Sequence, residues 1–247
     1  MIIGKATHSG LVRSSNEDSI YVHECAANEA YAIVADGMGG HKAGEVASAL
    51  AVETISSYIN THYKYAMSID FLRTIIVQSY FEANEAIYQK SMEERYHGMG
   101  TTASLCFLTD DTLILSHVGD SRIYSIAGDS LRRLTKDHSL VADLVEKGEI
   151  TSDEAQVDPR KNVITRAMGT EKLISVDIGT CRYRGETILI CSDGLTNFVT
   201  EEQILDRLRQ ENDLQKAADD LIDLANAGGG KDNISVILMK NTGSAQA

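Results

Sequence analysis

Proline is almost absent from this chain of 247 residues: Pro159 stands alone. No serine/glycine-rich or proline-rich stretch has the composition of a spacer, so one domain is expected although the length would allow two. Long apolar runs are missing too. Nothing approaches a membrane span, and the opening "MIIGKATHSG" carries one lysine and no apolar core long enough for export. Basic runs are equally missing: 23 Lys and Arg against 36 Asp and Glu leave a formal charge of -13. That field argues against nucleic acid as a partner, and it means that a phosphate-handling site must import positive charge locally, from arginine or metal. The four cysteines, Cys25, Cys106, Cys181 and Cys191, show no CxxC spacing, and three lie in or beside apolar strand-like runs. They are expected to be reduced, structural thiols of a cytoplasmic protein. There is no P-loop "GxxxxGK" and no cysteine in an acidic-to-arginine loop, which removes P-loop nucleotide chemistry and a phosphocysteine route.

What is present reads as an ordinary globular protein, 43% hydrophobic and 24% charged. Runs rich in β-branched and aliphatic residues predict strands at 31–35, 102–108, 112–118, 122–126, 187–191 and 234–239. Asp110-Asp111 and the segment 119–122 link the second to the third and the third to the fourth, which predicts an antiparallel meander. Helical periodicity runs through Ala43, Ala47, Leu50, Ala51, Thr54 and Tyr58, and through Leu72, Ile76, Tyr80, Ala83 and Ile87. A shorter helix is expected at Leu140 to Val145 before Gly148, one capped by Thr200, and a last one from Leu214 to Ala225 stopped by Gly228 to Gly230. Hairpins with helices inserted in pairs predict an α+β fold with mostly antiparallel sheet.

Four aspartates each sit at the edge of a predicted strand beside glycine or asparagine: Asp36 in "IVADGMGG", Asp120 in "SHVGDSR", Asp193 in "LICSDGL" and Asp232 in "GGKDNIS". Any one alone reads as turn chemistry. Asp36-Gly37 and Asp193-Gly194, however, run into helical sequence rather than into a second strand, which places those carboxylates at strand ends feeding loops. Strand-end aspartates from separate parts of a chain supply the oxygen ligands a hard divalent cation needs, and glycine lets a carbonyl, that of Gly37, come close to the ion. In "VRSSNEDSI", Glu17 and Asp18 could complete a second ion's shell and Arg13 could fork onto a phosphate. A carboxylate-rich two-ion site suits a metal-activated water, and phosphate monoester hydrolysis is the reaction that needs most help. Thr101, Thr102 and Ser104 read as strand packing, not nucleophiles, since no histidine-plus-acid relay accompanies them.

"RSSNED", "VADGMGGHKAGEVAS", "GMGTTAS", "HVGDSRIY", "LTKDHSLV", "NVITRAMG", "CSDGLTNFV" and "GGKDNISVI" stand in this order from Arg13 to Ile237. The chain so resembles the bacterial metal-dependent protein serine/threonine phosphatases of the type 2C (PPM) family. The resemblance implies a four-layer αββα sandwich, two central antiparallel sheets flanked by helix pairs, within one catalytic domain at 1–241. A flap at about 148–166 and a short tail at 242–247 complete that division. It implies that Asp36 bridges two Mn²⁺ or Mg²⁺ ions, with Asp193 and Asp232 on one and the Gly37 carbonyl, Glu17 and Asp18 on the other. Asp120 with Asp193 would bind a third ion, and Arg13 matches the phosphate-gripping arginine. His41 falls near the general-acid histidine of eukaryotic relatives, with Met38, Gly39 and Gly40 intervening; a helix-start histidine that only packs is the alternative. Phosphoprotein substrates, a membrane serine/threonine kinase as opposing enzyme and a monomeric state are further expectations of the resemblance.

Rival readings are a non-catalytic metal-binding regulatory relative, a phosphatase of the same fold acting on stress regulators, and a hydrolase of another phosphate ester. The first predicts loss of a core carboxylate, yet all are present. The second usually departs from "DGMGGH" and "GDSR", and both are kept here.

Overall fold

The computed structural model describes residues 1–26, 28–39 and 43–243. Two antiparallel sheets face one another. The first runs β1 (Ile2–His8), β11 (Ile234–Lys240), β10 (Thr187–Cys191), β7 (Arg122–Ala127) and β8 (Ser130–Arg133). The second runs β2 (Asp18–Ala26), β3 (Glu29–Met38), β5 (Ala103–Leu108), β6 (Thr112–Val118) and β9 (Asp177–Arg182), with the short β4 (Gly100–Thr101) on the end of β3.

Strict two-residue alternation builds the layers, because successive side chains of a strand point to opposite faces. In β3, Tyr31, Ile33 and Ala35 pack under α1 (Ala43–His62) and α2 (Ile69–Ser91), while Ala30, Ala32 and Val34 pack between the sheets. In β11, Ile234, Val236 and Leu238 face α6 (Glu201–Gln210) and α7 (Leu214–Ala227), while Ile237 and Met239 face the other sheet. Three cores between four layers result, the αββα sandwich expected. Leu72, Ile76, Tyr80, Ala83 and Ile87 bury one stripe of α2, and Ser68 caps that helix by accepting from the Phe71 N–H. Thr200 and Gln203 close a capping box on α6, and α7 ends at Gly228, followed by Gly229 and Gly230 at φ of 135° and 53°.

The predicted meander is corrected. β5 and β6 form a hairpin, but β6 then pairs with β9, whereas β7 pairs with β10 and β8. Residues 119–121 therefore carry the chain from one sheet to the other. Gly119 makes this turn with φ of 111°, and a Cβ there would lie 2.5 Å from Thr102 Cγ2.

Between the sheets' ends, residues 139–165 make an excursion holding α3 (Leu140–Glu146) and α4 (Ser152–Val157). It leaves and returns at one place, where Ser139 and Ile164 form an antiparallel bridge and the Leu140 N–H donates to the Val163 carbonyl at 2.8 Å. A single helical turn, α5 (Asp193–Thr196), follows β10. The four thiols are free, and among the described residues no helix is long and apolar enough to cross a membrane.

Candidate metal and phosphate site

The sheets bring Asp36, Asp18, Asp193, Asp232 and Asp120 to one end of the sandwich. Asp18 and Asp36 are directly opposite each other in the β2–β3 ladder. Asp193 opens α5 two residues beyond the end of β10, Asp232 stands two residues before β11, and Asp120 two residues after β6. Asp36 lies inside β3, two residues before its end, and its main chain is fixed on both sides. Its N–H donates to Thr102 Oγ1 at 2.9 Å, and its carbonyl accepts from the Thr102 N–H and from Thr101 Oγ1, each at 2.9 Å. Thr101, Thr102 and Ser104 are thus buried hydrogen-bonding supports of the strand pair.

Glycine is needed at two positions by close approach. A Cβ on Gly37 would lie 2.1 Å from the Gly44 carbonyl oxygen and 2.7 Å from that of Glu17. A Cβ on Gly44 would lie 2.3 Å from Glu17 Oε2, so the first turn of α1 leaves the space the Glu17 carboxylate fills. Asn233, buried beside Asp232, accepts from the Glu17 N–H at 2.8 Å and donates to the Ser9 and Ser15 carbonyls at 3.0 and 2.8 Å, holding the loop that carries Arg13. Arg13 forks onto Asp232, Nε to Oδ1 and Nη2 to Oδ2, both at 3.0 Å. His41 lies outside the described residues.

This crowding of like charge has an electrostatic signature. The Asp36 carboxyl is held well above the ordinary carboxylate range, first by burial and then by Asp18, Asp193, Asp120 and Asp232. Asp193 is raised by burial and by Asp232, against hydrogen bonds from Asp36 and Asn197. Burial pushes Asp120 up to about 8, with Asp193 adding to it. Asp18 is pushed up to about 7 by burial, although Ser235 and Ser192 hydrogen bonds oppose the shift. Glu17 is raised by burial, with Arg13 pulling the other way. Ser192 Oγ donates to Asp18 Oδ2 at 2.8 Å, yet Asp18 Oδ1 and Asp120 Oδ1 are buried with no hydrogen-bond partner.

Buried carboxylates without partners are costly unless a cation compensates them. Among the described residues no three His, Cys, Asp or Glu side chains already close into a finished cage. What they offer instead is an all-oxygen donor set, two bare oxygens and a mutual repulsion that a divalent cation would relieve, and this suits Mg²⁺ or Mn²⁺ rather than a thiolate-loving metal.

Beside Asp120 and Asp193 opens a cleft of about 860 Å³, walled by α3 and α4 on one side and by the segment from Thr196 to Glu201 on the other. On its floor Arg122 forks onto Asp137, Nη2 to Oδ2 at 2.8 Å.

Four supports of the site went without a role at the level of sequence: Asn233, Ser192, Asn197 and His138. Asn233 follows an aspartate, Ser192 precedes one and His138 sits in the quoted "LTKDHSLV". Adjacency to an acidic position is the only signal these three give, since their partners are remote in sequence, whereas Asn197 donates to Asp193, four residues before it, at 2.9 Å.

Comparison with known proteins agrees with this architecture. The sequence profile described as Protein phosphatase 2C matches residues 8–239. The chain is 40% identical over 237 residues to the serine/threonine phosphatase Stp of Listeria welshimeri, covering 95% of this chain and 93% of that one. It superposes on the Streptococcus agalactiae serine/threonine phosphatase with a TM-score of 0.89 at 38% identity, covering 96% and 97% of the two chains. It also superposes on the catalytic domain of the phosphatase PstP in complex with two manganese ions, with a TM-score of 0.81 at 34% identity and 96% coverage of both. A match over nearly the whole length, in sequence and in fold, shows that this chain belongs to the protein phosphatase 2C family.

Proposed function

We propose that the chain is a metal-dependent protein phosphatase that hydrolyses phosphoserine and phosphothreonine at the Asp36 end of the sandwich. The observation that carries this reading is the five-aspartate cluster with two bare buried oxygens beside a phosphate-sized cation, Arg13. Its support in kind is family membership and the two manganese ions of the PstP relative.

Asp36, central to the electrostatics, would serve two Mn²⁺ or Mg²⁺ ions. Asp193 and Asp232, each other's neighbours in charge, would hold one ion, and Asp18, Glu17 and the Gly37 carbonyl the other. Asp120 and Asp193 would take a third. When bound, the ions supply the lowered water pKa and the Lewis acidity that monoester hydrolysis requires.

The protein's own residues supply position and charge. Arg13, on a loop strapped by Asn233 and by the Leu11 N–H donating to the Gly230 carbonyl at 2.7 Å, presents the cation that neutralises phosphate oxygens. Hydrolysis forms a bond from water oxygen to phosphorus and breaks the bond to the serine or threonine oxygen, which leaves carrying a proton. The cleft beyond Asp120 has the volume to seat the chain around the phosphorylated residue.

Titration calorimetry with Mn²⁺ tests the ligand assignment. Asp36→Ala, which removes the shared carboxylate, should abolish two tight sites together. Loss of one site only, with the other at wild-type affinity, would contradict the bridging role.

A further inference from the structure

His138 is buried, 6% exposed, and its main chain and ring together reach Gly119, Thr165 and Asp177. Its main-chain N–H donates to the Gly119 carbonyl at 2.8 Å, and its ring Nδ1 accepts from the Gly119 N–H at 3.0 Å. Gly119 is thereby gripped twice, one residue before Asp120. The His138 carbonyl accepts from the Thr165 N–H at 2.8 Å, where the 139–165 excursion returns. With Nδ1 accepting, a neutral ring carries its proton on Nε2, which faces Asp177 Oδ2 at 3.1 Å and also lies 3.0 Å from Arg166 Nη1. Asp177 also takes Arg166 Nη1 on Oδ1 at 2.6 Å, so the first residue beyond the excursion is tied to the same carboxylate. The ring packs on buried His117, centroids 4.8 Å apart.

The turn that carries Asp120 and both ends of the excursion walling the cleft therefore meet at one residue, through its main chain and its ring. Neither is held to the other by a direct hydrogen bond of its own. We infer that His138 is a positioning residue that sets Asp120 according to the state of the excursion's base, through Asp177 and Arg166. Occupancy of the cleft and occupancy at Asp120 are thus linked. This rests on the proposed role of Asp120 as an ion ligand.

The two ring nitrogens can be tested apart. His138→Asn places Oδ1 where Nδ1 lies and keeps an acceptor for Gly119, but is too short for Asp177. His138→Gln reaches Asp177 and offers nothing at the Nδ1 position. Asp177→Ala removes the far partner at a half-exposed site and leaves every group bonded to Gly119 in place. The readouts are Gly119 amide exchange by NMR in metal-free protein and calorimetric Mn²⁺ titration, with melting temperature confirming the fold. The inference expects His138→Gln and Asp177→Ala each to speed Gly119 exchange about 10-fold, the worth of one hydrogen bond in a local opening equilibrium. Both should weaken the ion site that Asp120→Ala abolishes and spare the others. His138→Asn keeps the Gly119 acceptor but loses the same Asp177 link, so its Gly119 exchange should rise as much as in Asp177→Ala. If Asp177→Ala leaves Gly119 exchange and Mn²⁺ binding unchanged, the link is refuted and His138 only packs. If Asp120→Ala removes no ion while Asp177→Ala still speeds Gly119 exchange, the link stands and the ion assignment of Asp120 falls.

Discussion

Arg13 and Asp232 meet as a two-point fork, Nε to Oδ1 and Nη2 to Oδ2 at 3.0 Å each, although they stand 219 residues apart. The cation proposed for phosphate thus rests on a carboxylate proposed for metal. An ion held by Asp232 would compete for the same oxygens and would leave Arg13 free to face the substrate. Arg13→Ala should therefore raise KM for a phosphothreonine peptide about 10-fold or more, with a smaller fall in kcat, and weaken inhibition by inorganic phosphate in parallel. Steady-state kinetics at saturating Mn²⁺ check this, and an unchanged KM would remove Arg13 from phosphate binding.

The raised carboxyls set the pH dependence of the metal-free protein. Asp18 and Asp120, near 3.8 when unfolded, are pushed up to about 7 and about 8 in the fold, chiefly by burial. Between those limits the folded state holds more protons than the unfolded state, so stability falls as pH rises. In EDTA the melting temperature should drop steadily from pH 5 to pH 8. Mn²⁺ should flatten the slope, because a cation replaces the protons as the compensating charge. A melting temperature that rises with pH in EDTA would contradict the cluster's electrostatics.

Gly44→Ala offers a substitution in which helix propensity and function oppose one another. Alanine is favoured over glycine inside a helix by about 1 kcal/mol. Here its Cβ would lie 2.3 Å from Glu17 Oε2 and 2.9 Å from the Gly37 carbonyl carbon. Calorimetry should show weakened Mn²⁺ binding at one site, and thermal scans a lower melting temperature, because the Gly37 main chain must shift to admit the Cβ. Wild-type metal affinity would show that the Glu17 carboxylate is not needed where it stands.

Ser192 Oγ donates to Asp18 Oδ2 at 2.8 Å and also accepts from the Ser235 N–H at 2.9 Å. Ser192→Ala leaves both buried groups short of a partner, a loss of about 1–3 kcal/mol. At about 2–4 °C per kcal/mol for a chain of this size, the melting temperature should fall by about 2–12 °C. A shift below about 1 °C would mean that water replaces the hydroxyl.

Which parts of the fold were legible follows from position in the sheets. All six strands expected from apolar runs, β3, β5, β6, β7, β10 and β11, are interior strands. β3, β5, β10 and β11 bury both faces and read as near-continuous hydrophobic stretches. The four longer strands with no such run, β1, β2, β8 and β9, are the four sheet edges, where one side lacks a neighbour and polar residues such as those of "SLRR" and "DIGTCR" are tolerated. The same limit explains the meander: the runs at 112–118 and 122–126 identify strands but not partners, and the positive φ of Gly119, at the turn that sends β7 to the other sheet, has no apolar signature. At the site, the carboxylates announce themselves by type and by their glycine neighbours. Their supports do not, since Asn233, Ser192 and His138 act through main-chain and carboxyl partners that only folding brings near.

The central claim is metal-dependent hydrolysis of a phosphoprotein at the Asp36 cluster. The most direct measurement is phosphate release from a phosphothreonine peptide by the purified protein with Mn²⁺, with EDTA, and with Asp193→Ala under Mn²⁺. The account predicts release with Mn²⁺, none above background in EDTA, and a loss of about 100-fold or more in the variant, in line with removal of a group that stabilises the transition state. No release from a folded wild-type protein that binds Mn²⁺, or equal release by Asp193→Ala, would contradict it.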